Sequence, residues 1–146
     1  MGKKKVIQKS GDIAPGKEAG ATAVAGKSSS RKIESGTVYV NATYNNTLIT
    51  VTDASGNVVA WSSAGSLGFS GPKKATPFAA SKVATTVIEK IKKNGPFNVQ
   101  IVVKGVGSGR DSAVRTFASQ GFTISSVKDA TPIPHNGPRP PKVRRV

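Results

Sequence analysis

Residues 37–63 alternate between apolar and polar side chains with a period of two, which constrains the fold more than any other feature of the chain. The stretch reads TVYVNATYNNTLITVTDASGNVVAWSS and is rich in β-branched residues. Two turn-forming clusters interrupt it, Asn45-Asn46 and Ala54-Ser55-Gly56-Asn57. Because successive side chains of a strand point to opposite faces of a sheet, the pattern predicts three antiparallel strands in a meander.

A helix is predicted after a loop rich in glycine and lysine, GSLGFSGPKKATP. Thr76 is a suitable N-cap, and Pro77 suits the first helical position. Asn94-Gly95-Pro96 predicts the end of the helix. Apolar residues recur at intervals of three and four and predict its buried face: Ala80, Ala84, Val87, Ile88 and Ile91.

The rest of the folded region predicts a strand, a shorter helix and a last strand. FNVQIVVK is typical of a largely buried strand, and FTISSVKDAT of a final one. Between them we expect a helix that ends near Gly121, with Val114, Phe117 and Ala118 facing inward. A meander followed by this order predicts an α/β fold, in which a mixed β-sheet is flanked by two helices.

The charge indicates a polyanionic partner. The chain has 146 residues, with 22 Lys and Arg against 7 Asp and Glu, and a net charge of +15. Nucleic acid is the first candidate, because such a charge opposes compaction unless a polyanion neutralises it. We expect no membrane span and no signal peptide. The chain has no cysteine, which excludes disulfides and thiol chemistry and fits a reducing cytoplasm.

The charge also predicts a division into three parts. Residues 1–35 form a basic arm without hydrophobic periodicity, expected to be disordered in isolation. Within it, GATAVAGKSS fails as a phosphate-binding Walker motif, because five residues rather than four separate its glycines. Residues 36–129 form the α/β domain. Residues 130–146 form an extended, proline-rich basic tail, because its prolines disfavour helix and central strand.

The loop KGVGSGR leaves three interpretations open. Gly105, Gly107 and Gly109 precede a predicted helix start, where backbone N–H groups attract anions. The even spacing does not match a dinucleotide fingerprint, and no Gly-Lys-Ser/Thr follows. A nucleotide or cofactor site, a structural turn, and a contact to a nucleic-acid backbone remain, and we favour the last because Arg110 follows the loop.

Few residues could support catalysis, and we expect neither enzyme activity nor a metal site or cofactor. The single histidine, His135, lies in the tail without an evident partner. The acids of the domain read as structural: Asp53 in a turn, Glu89 on a helix surface, Asp111 in a first helical turn and Asp129 at a strand end. The Asn136-Gly137 dipeptide is also a candidate for conversion to isoaspartate, because glycine does not hinder cyclisation.

Three blocks of sequence, NATYNNTLITVTDASGNVVAWSSAGSLGFSGPKKATPFAASKVA, KGVGSGRDSAVR and DATPIPHNGPRPPKVRRV, together resemble the bacterial small-subunit ribosomal protein family S-eleven. The resemblance covers about residues 33–146. It implies a ribonuclease-H-like fold without the nuclease carboxylates. It also implies a cytoplasmic, structural, rRNA-binding role on the platform of the small subunit, near the mRNA exit path and the exit-site tRNA. Platform proteins of the S-seven and S-eighteen families are the implied neighbours, with mRNA as a further candidate partner and no role for membrane or DNA.

The resemblance also implies which residues contact RNA. They lie in the first turn, the lysine loop, the glycine loop and the tail: Asn45, Asn46, Lys73, Lys74, Gly107, Gly109, Arg110, His135, Asn136, Arg139, Lys142, Arg144 and Arg145. Trp61 is open to two interpretations, core packing or base stacking, and we favour packing because apolar residues surround it. The alternative function, a nucleotide-dependent or metal-dependent enzyme on the same fold, would need converging carboxylates that the sequence does not suggest.

Overall fold

The predicted meander forms one half of the sheet. The computed structural model describes residues 33–92 and 98–142. Strands β1 (Ser35–Ala42), β2 (Thr47–Asp53) and β3 (Val58–Ser63) pair antiparallel in sequence order. The two turns fall at the predicted clusters, and Asp53 organises the second one by accepting the amides of Ser55 and Asn57, each at 2.9 Å. The turn role predicted for Asp53 is therefore confirmed.

The other half of the sheet is parallel. Strand β4 (Asn98–Lys104) pairs parallel with β1, and β5 (Thr123–Asp129) pairs parallel with β4. The order across the sheet is β3-β2-β1-β4-β5. The predicted mixed sheet is confirmed. Since β1, β4 and β5 run in the same direction, their carboxyl ends meet at one edge of the sheet.

Helix α1 (Pro77–Ile91) follows the predicted pattern closely. The Thr76 hydroxyl accepts the Ala79 amide at 3.2 Å, which confirms Thr76 as the N-cap. All five predicted core positions are buried, together with Ala79 and Val83. The predicted stop at 94–96, and Lys93, lie outside the described residues. In the part of the chain that the structure describes, no helix has the length and apolar character needed to cross a membrane.

Helix α2 (Gly109–Ser119) is shorter, as predicted, and corrects one core assignment. Phe117 is buried and Val114 is half-buried, but Ala118 is exposed. Ala113 is buried instead. The reason is helical geometry: Ala113 and Phe117 are four residues apart on the face that meets the core, and Ala118 is rotated about 100° away from it.

Both helices pack on one face of the sheet, and nothing in residues 33–92 and 98–142 covers the other, which we call the uncovered face. The core consists of alternate residues of β1, β2 and β4, including Val38, Ile49 and Ile101, packed against the helices. The packing interpretation of Trp61 is wrong, because this side chain is 56% exposed. Its neighbours Ala60 and Ser62 are buried, so the alternation of β3 places Trp61 on the uncovered face.

Candidate nucleic-acid interface

Four of the segments singled out in the sequence meet where the parallel strands end. The turn 43–46 leaves β1, the glycine loop 105–108 leaves β4, and the tail leaves β5 at Ala130. Helix α2 begins directly after the glycine loop. We call the surface formed by residues 43–46, 105–110 and 129–131 the carboxyl edge. Ligands of open α/β sheets commonly bind at such an edge.

The Thr43 side chain fixes the first turn of the carboxyl edge. Its hydroxyl donates to the Asn46 carbonyl and accepts the Asn46 amide, each at 3.0 Å. The Thr43 amide also donates to the Asn46 carbonyl at 2.9 Å. These bonds leave Asn45 exposed, whereas Asn46 is half-buried and its Oδ1 atom has no hydrogen-bond partner among the described residues. The Asn45 side chain is thus presented by a turn held at its base by hydrogen bonds, whereas the Asn46 side-chain oxygen is buried.

The glycine loop is tied into the fold through its own backbone. The Gly107 amide donates to the Ala42 carbonyl at 2.9 Å, and the Gly105 amide donates to the Thr131 hydroxyl at 3.1 Å. A Cβ atom on Gly105 would overlap the Ala42 carbonyl oxygen, and one on Gly107 would overlap that of Thr43. These glycines therefore allow the loop to lie against the end of β1, and both of their amides are already engaged within the protein.

Gly109 has a different role from the other two glycines. It is buried at the start of α2, where a Cβ atom would lie 2.7 Å from the Ala80 Cβ and 2.8 Å from the Thr47 Oγ1. The absence of a side chain thus lets α2 approach α1 closely. The adjacent Ser108 hydroxyl donates to the Ala75 carbonyl at 2.8 Å. This bond joins the glycine loop to the lysine-containing turn Gly71–Ala75.

Arg110 links the glycine loop to the end of β5. One terminal guanidinium nitrogen donates to the Gly105 carbonyl at 3.1 Å, and the other donates to Asp129 Oδ2 at 2.6 Å. The Arg110 side chain is about one-third exposed. Since a guanidinium has five N–H donors, these contacts hold Arg110 in place and leave donors for an external anion.

Asp129 and Thr131 anchor the tail at the carboxyl edge. Both the amide and the hydroxyl of Thr131 donate to Asp129 Oδ1, at 2.9 and 2.6 Å. The Thr131 hydroxyl bond, followed by the Arg110 bond and the Thr131 amide, lowers the pKa of Asp129 from 3.8 to about 2. The sequence interpretation took Asp129 for a simple strand-end acid and missed this role. The Asp-x-Thr spacing, typical of an Asx turn, was the available signal.

Comparison with known proteins decides the family. The sequence pattern of the family described as Ribosomal protein S11 matches residues 36–145. The chain is also 55% identical over 124 residues to "Small ribosomal subunit protein uS11" of Sulfurovum sp. (strain NBC37-1), covering 84% of this chain and 100% of that protein. The chain belongs to the ribosomal protein S11 family. The resemblance found in the sequence is therefore confirmed.

Membership of the S11 family gives the general function. A protein of this family is a structural component of the small ribosomal subunit in the cytoplasm and takes part in translation rather than catalysis. It binds rRNA and neighbouring ribosomal proteins. Within residues 33–92 and 98–142, no group of three or more His, Asp or Glu side chains is placed to hold a metal ion.

In this S11 family member, the remaining residues predicted to contact RNA lie in the lysine-containing turn and in the tail. Lys73 is exposed and Lys74 half-buried, in the turn that Ser108 joins to the glycine loop. The predicted tail residues that the structure describes are all exposed: His135, Asn136, Arg139 and Lys142. Asn136 adopts a positive φ of 58°. Arg144 and Arg145 lie outside the described residues.

Proposed function

We propose that this protein is a constituent of the platform of the small ribosomal subunit. There it binds rRNA near the mRNA exit path and the exit-site tRNA, and supports subunit assembly and translation. Its protein neighbours are members of the S-seven and S-eighteen families, and mRNA passes close enough to be a further contact. The observation that carries the proposal is that the first turn, the glycine loop and the start of the tail meet at the carboxyl edge, and that Ser108 joins the lysine-containing turn to it.

Different residues of the carboxyl edge make different kinds of contact to RNA. Asn45 offers an exposed side-chain amide, which suits base edges and 2′-hydroxyls, and Asn46 beside it is a second, half-buried amide of the same turn. Arg110 donates to phosphate with the N–H groups that Asp129 and Gly105 leave unused. Gly107 and Gly109 act through shape, because their lack of side chains brings the loop, β1 and α1 together. The other contributors are cationic or polar groups beside the edge: Lys73, Lys74, His135, Asn136, Arg139, Lys142, Arg144 and Arg145.

We also propose that the fold is of the ribonuclease-H-like type. A ribonuclease-H-like type is supported by the strand order, in which an antiparallel meander is followed by two parallel strands on the β1 side. We further propose that residues 36–129 form the RNA-binding domain, that residues 1–35 act as a basic arm, and that residues 130–146 act as an extended basic tail. The role proposed for the tail is supported by its sequence, which has four Lys or Arg and no Asp or Glu.

Directed cleavage of rRNA tests both the orientation and the location. The chain has no cysteine, so one introduced cysteine can carry an iron chelate that generates hydroxyl radicals. In reconstituted subunits, Asn45→Cys at the carboxyl edge should direct cleavage to platform rRNA. Lys92→Cys is the matched control, because Lys92 is exposed after the last residue of α1, about 20 Å from its start. Equal cleavage from both positions, or cleavage confined to RNA outside the platform, would contradict the proposal.

A further inference from the structure

The uncovered face of the sheet carries aromatic side chains that neither of the two described helices covers. Its positions alternate with the core residues of β1, β2, β3, β4 and β5. Trp61 is 56% exposed on this face and Tyr39 is 42% exposed. The face includes Thr37, Tyr39, Asn41, Leu48, Thr50, Trp61, Gln100, Val102, Lys104, Ser126 and Lys128. Exposed aromatic residues on an uncovered sheet face indicate a binding surface.

The two aromatic residues lie in a single row across the sheet. Thr50 pairs with Trp61 on one side and with Tyr39 on the other, and Tyr39 pairs in turn with Val102. Neighbouring strands are about 4.8 Å apart, so Trp61 and Tyr39 are separated by about 9.6 Å. The residue between them, Thr50, is short. Two aromatic side chains on the same face are therefore separated by one short residue, and unstacked bases can rest on exposed aromatic rings.

The charges around this row favour a nucleic acid over a protein with a cationic surface. Lys128 pairs with Val102 at the β5 end of the row, and Lys104 lies at the end of β4. At the β3 end, the ammonium group of Lys90 donates to the Trp61 carbonyl at 3.1 Å. None of the positions named on the uncovered face carries a carboxylate. Positive charge therefore borders the aromatic row at both ends.

Beside the row lies an open cleft whose lining includes hydroxyl and amide side chains. It encloses about 470 Å³ near the amino ends of β1 and β4. Its lining offers backbone groups together with hydroxyl and amide side chains: Ser35, Gly36, Thr37, Ala54, Asn98, Gln100 and Ser125. Hydroxyl and amide groups of this kind can donate to and accept from the exposed edges of a base.

We propose that the uncovered face is a second RNA-binding surface, which takes a single-stranded segment of RNA with bases stacked on Tyr39 and Trp61. The surface is separate from the carboxyl edge and rests on the rRNA-binding role of the protein. Lys90, Lys104 and Lys128 neutralise the flanking phosphates, and the cleft accepts an adjacent base through hydrogen bonds. Stacking is tolerant of sequence, since every base has a π-face.

The single tryptophan of the chain makes this proposal directly testable. The full-length protein is titrated with an octamer of adenylate and with an octamer of uridylate, while the emission of Trp61 is followed. Affinities of Tyr39→Ala, Trp61→Ala and Trp61→Phe are measured with the same RNAs carrying a fluorescent label. Phe78→Ala is the matched control, because Phe78 is 63% exposed but lies in α1, on the helical side of the sheet.

We expect RNA to quench Trp61 emission, and each alanine substitution at Trp61 or Tyr39 to weaken binding by about 5- to 150-fold. Trp61→Phe should weaken binding less, because a ring remains. The dependence of affinity on salt should stay unchanged, because no phosphate contact is removed. Phe78→Ala should bind as the wild type does. Each of these side chains is exposed, so the variants should unfold at nearly the same temperature.

Two outcomes would overturn the proposal. Trp61 emission unchanged at saturating RNA would show that no base stacks there. Wild-type affinity in both alanine variants would show that the face does not contribute to RNA binding, and that its aromatic residues meet a protein neighbour instead. The double variant Arg139→Ala and Lys142→Ala separates this result from failure of the tail interface. If that variant binds as tightly as the wild type while the Trp61 variants bind more weakly, the data would exclude the proposed tail contacts and support RNA binding at the uncovered face.

Discussion

At the scale of single residues, side chains that bridge distant parts of the sequence hold the carboxyl edge together. Thr131 accepts a hydrogen bond from the Gly105 amide and donates one to Asp129, which in turn pairs with Arg110. One short chain of contacts thereby connects the ends of β4 and β5, the start of α2 and the start of the tail. The Thr131 hydroxyl and the Asp129 carboxylate join the glycine loop to Arg110, although the glycines and the arginine stand out more in the sequence.

The acid titration of Asp129 tests this chain of contacts. Because the folded-state pKa lies below the usual 3.8, the interaction stabilises the fold above that pH and is lost as the pH falls toward 2. A carboxyl NMR titration should give a midpoint near 2 for Asp129. Thr131→Val and Arg110→Ala should each raise that midpoint toward 3.8. Asp53 is the internal control, because its pKa is lowered by Asn57 and should not respond. An unshifted Asp129 midpoint in Thr131→Val would contradict the account.

The close approach of the glycine loop to β1 gives a second prediction at this scale. Gly105 and Gly56 have nearly the same positive φ, 89° and 88°, but only Gly105 lies against other atoms. The backbone strain of an alanine at a positive φ should destabilise the fold equally at both sites. The overlap with the Ala42 carbonyl should cost Gly105→Ala about 1–3 kcal/mol more than Gly56→Ala. Urea unfolding of the two variants measures the difference, and equal losses would show that the loop does not pack as described.

At the scale of secondary-structure elements, periodicity and capping explain what the sequence could predict. The alternation of 37–63 was sufficient for the meander, and Thr76-Pro77 with a three-to-four spacing was sufficient for α1. The strand order could not be predicted from local sequence patterns, because it depends on β4 pairing with β1, which is distant in sequence. The exposure of Trp61 could not be predicted for a similar reason, because it depends on both helices packing on the opposite face of the sheet. Likewise, no local pattern links Arg110 to Asp129, which are 19 residues apart.

The tail is the element for which electrostatics makes a quantitative prediction. Arg139 and Lys142 are exposed, and each phosphate contact contributes about 0.7–0.9 to the slope of log affinity against log salt. Replacing both by Ala should flatten that slope for rRNA by up to about two units without changing thermal unfolding. The control replaces two other exposed cations by Ala, Lys82 in α1 and Lys92 directly after it. If the two double variants flatten the slope equally, RNA binding follows total charge rather than the tail.

At the scale of the whole molecule, the groups that we propose to bind RNA lie at an edge of the sheet, on its uncovered face and in the tail. The net charge of +15 suits a component whose neutralising partner is RNA. The described part of the tail is exposed throughout 132–142. Ordering an extended segment costs about 1–2 kcal/mol per residue, so the contacts that offset this cost must come from rRNA and neighbouring proteins.

The most direct test of this account is competitive assembly of the full chain against a chain that lacks residues 132–146. Both proteins, one of them isotopically labelled, are mixed in equal amounts during subunit reconstitution, and mass spectrometry gives their ratio in washed subunits. We expect the shortened protein to unfold at nearly the wild-type temperature. It should nevertheless be at least tenfold under-represented in subunits, because loss of several phosphate contacts weakens binding steeply. Equal incorporation of the two proteins would contradict the central claim that the tail, continuing from the carboxyl edge, binds the ribosome.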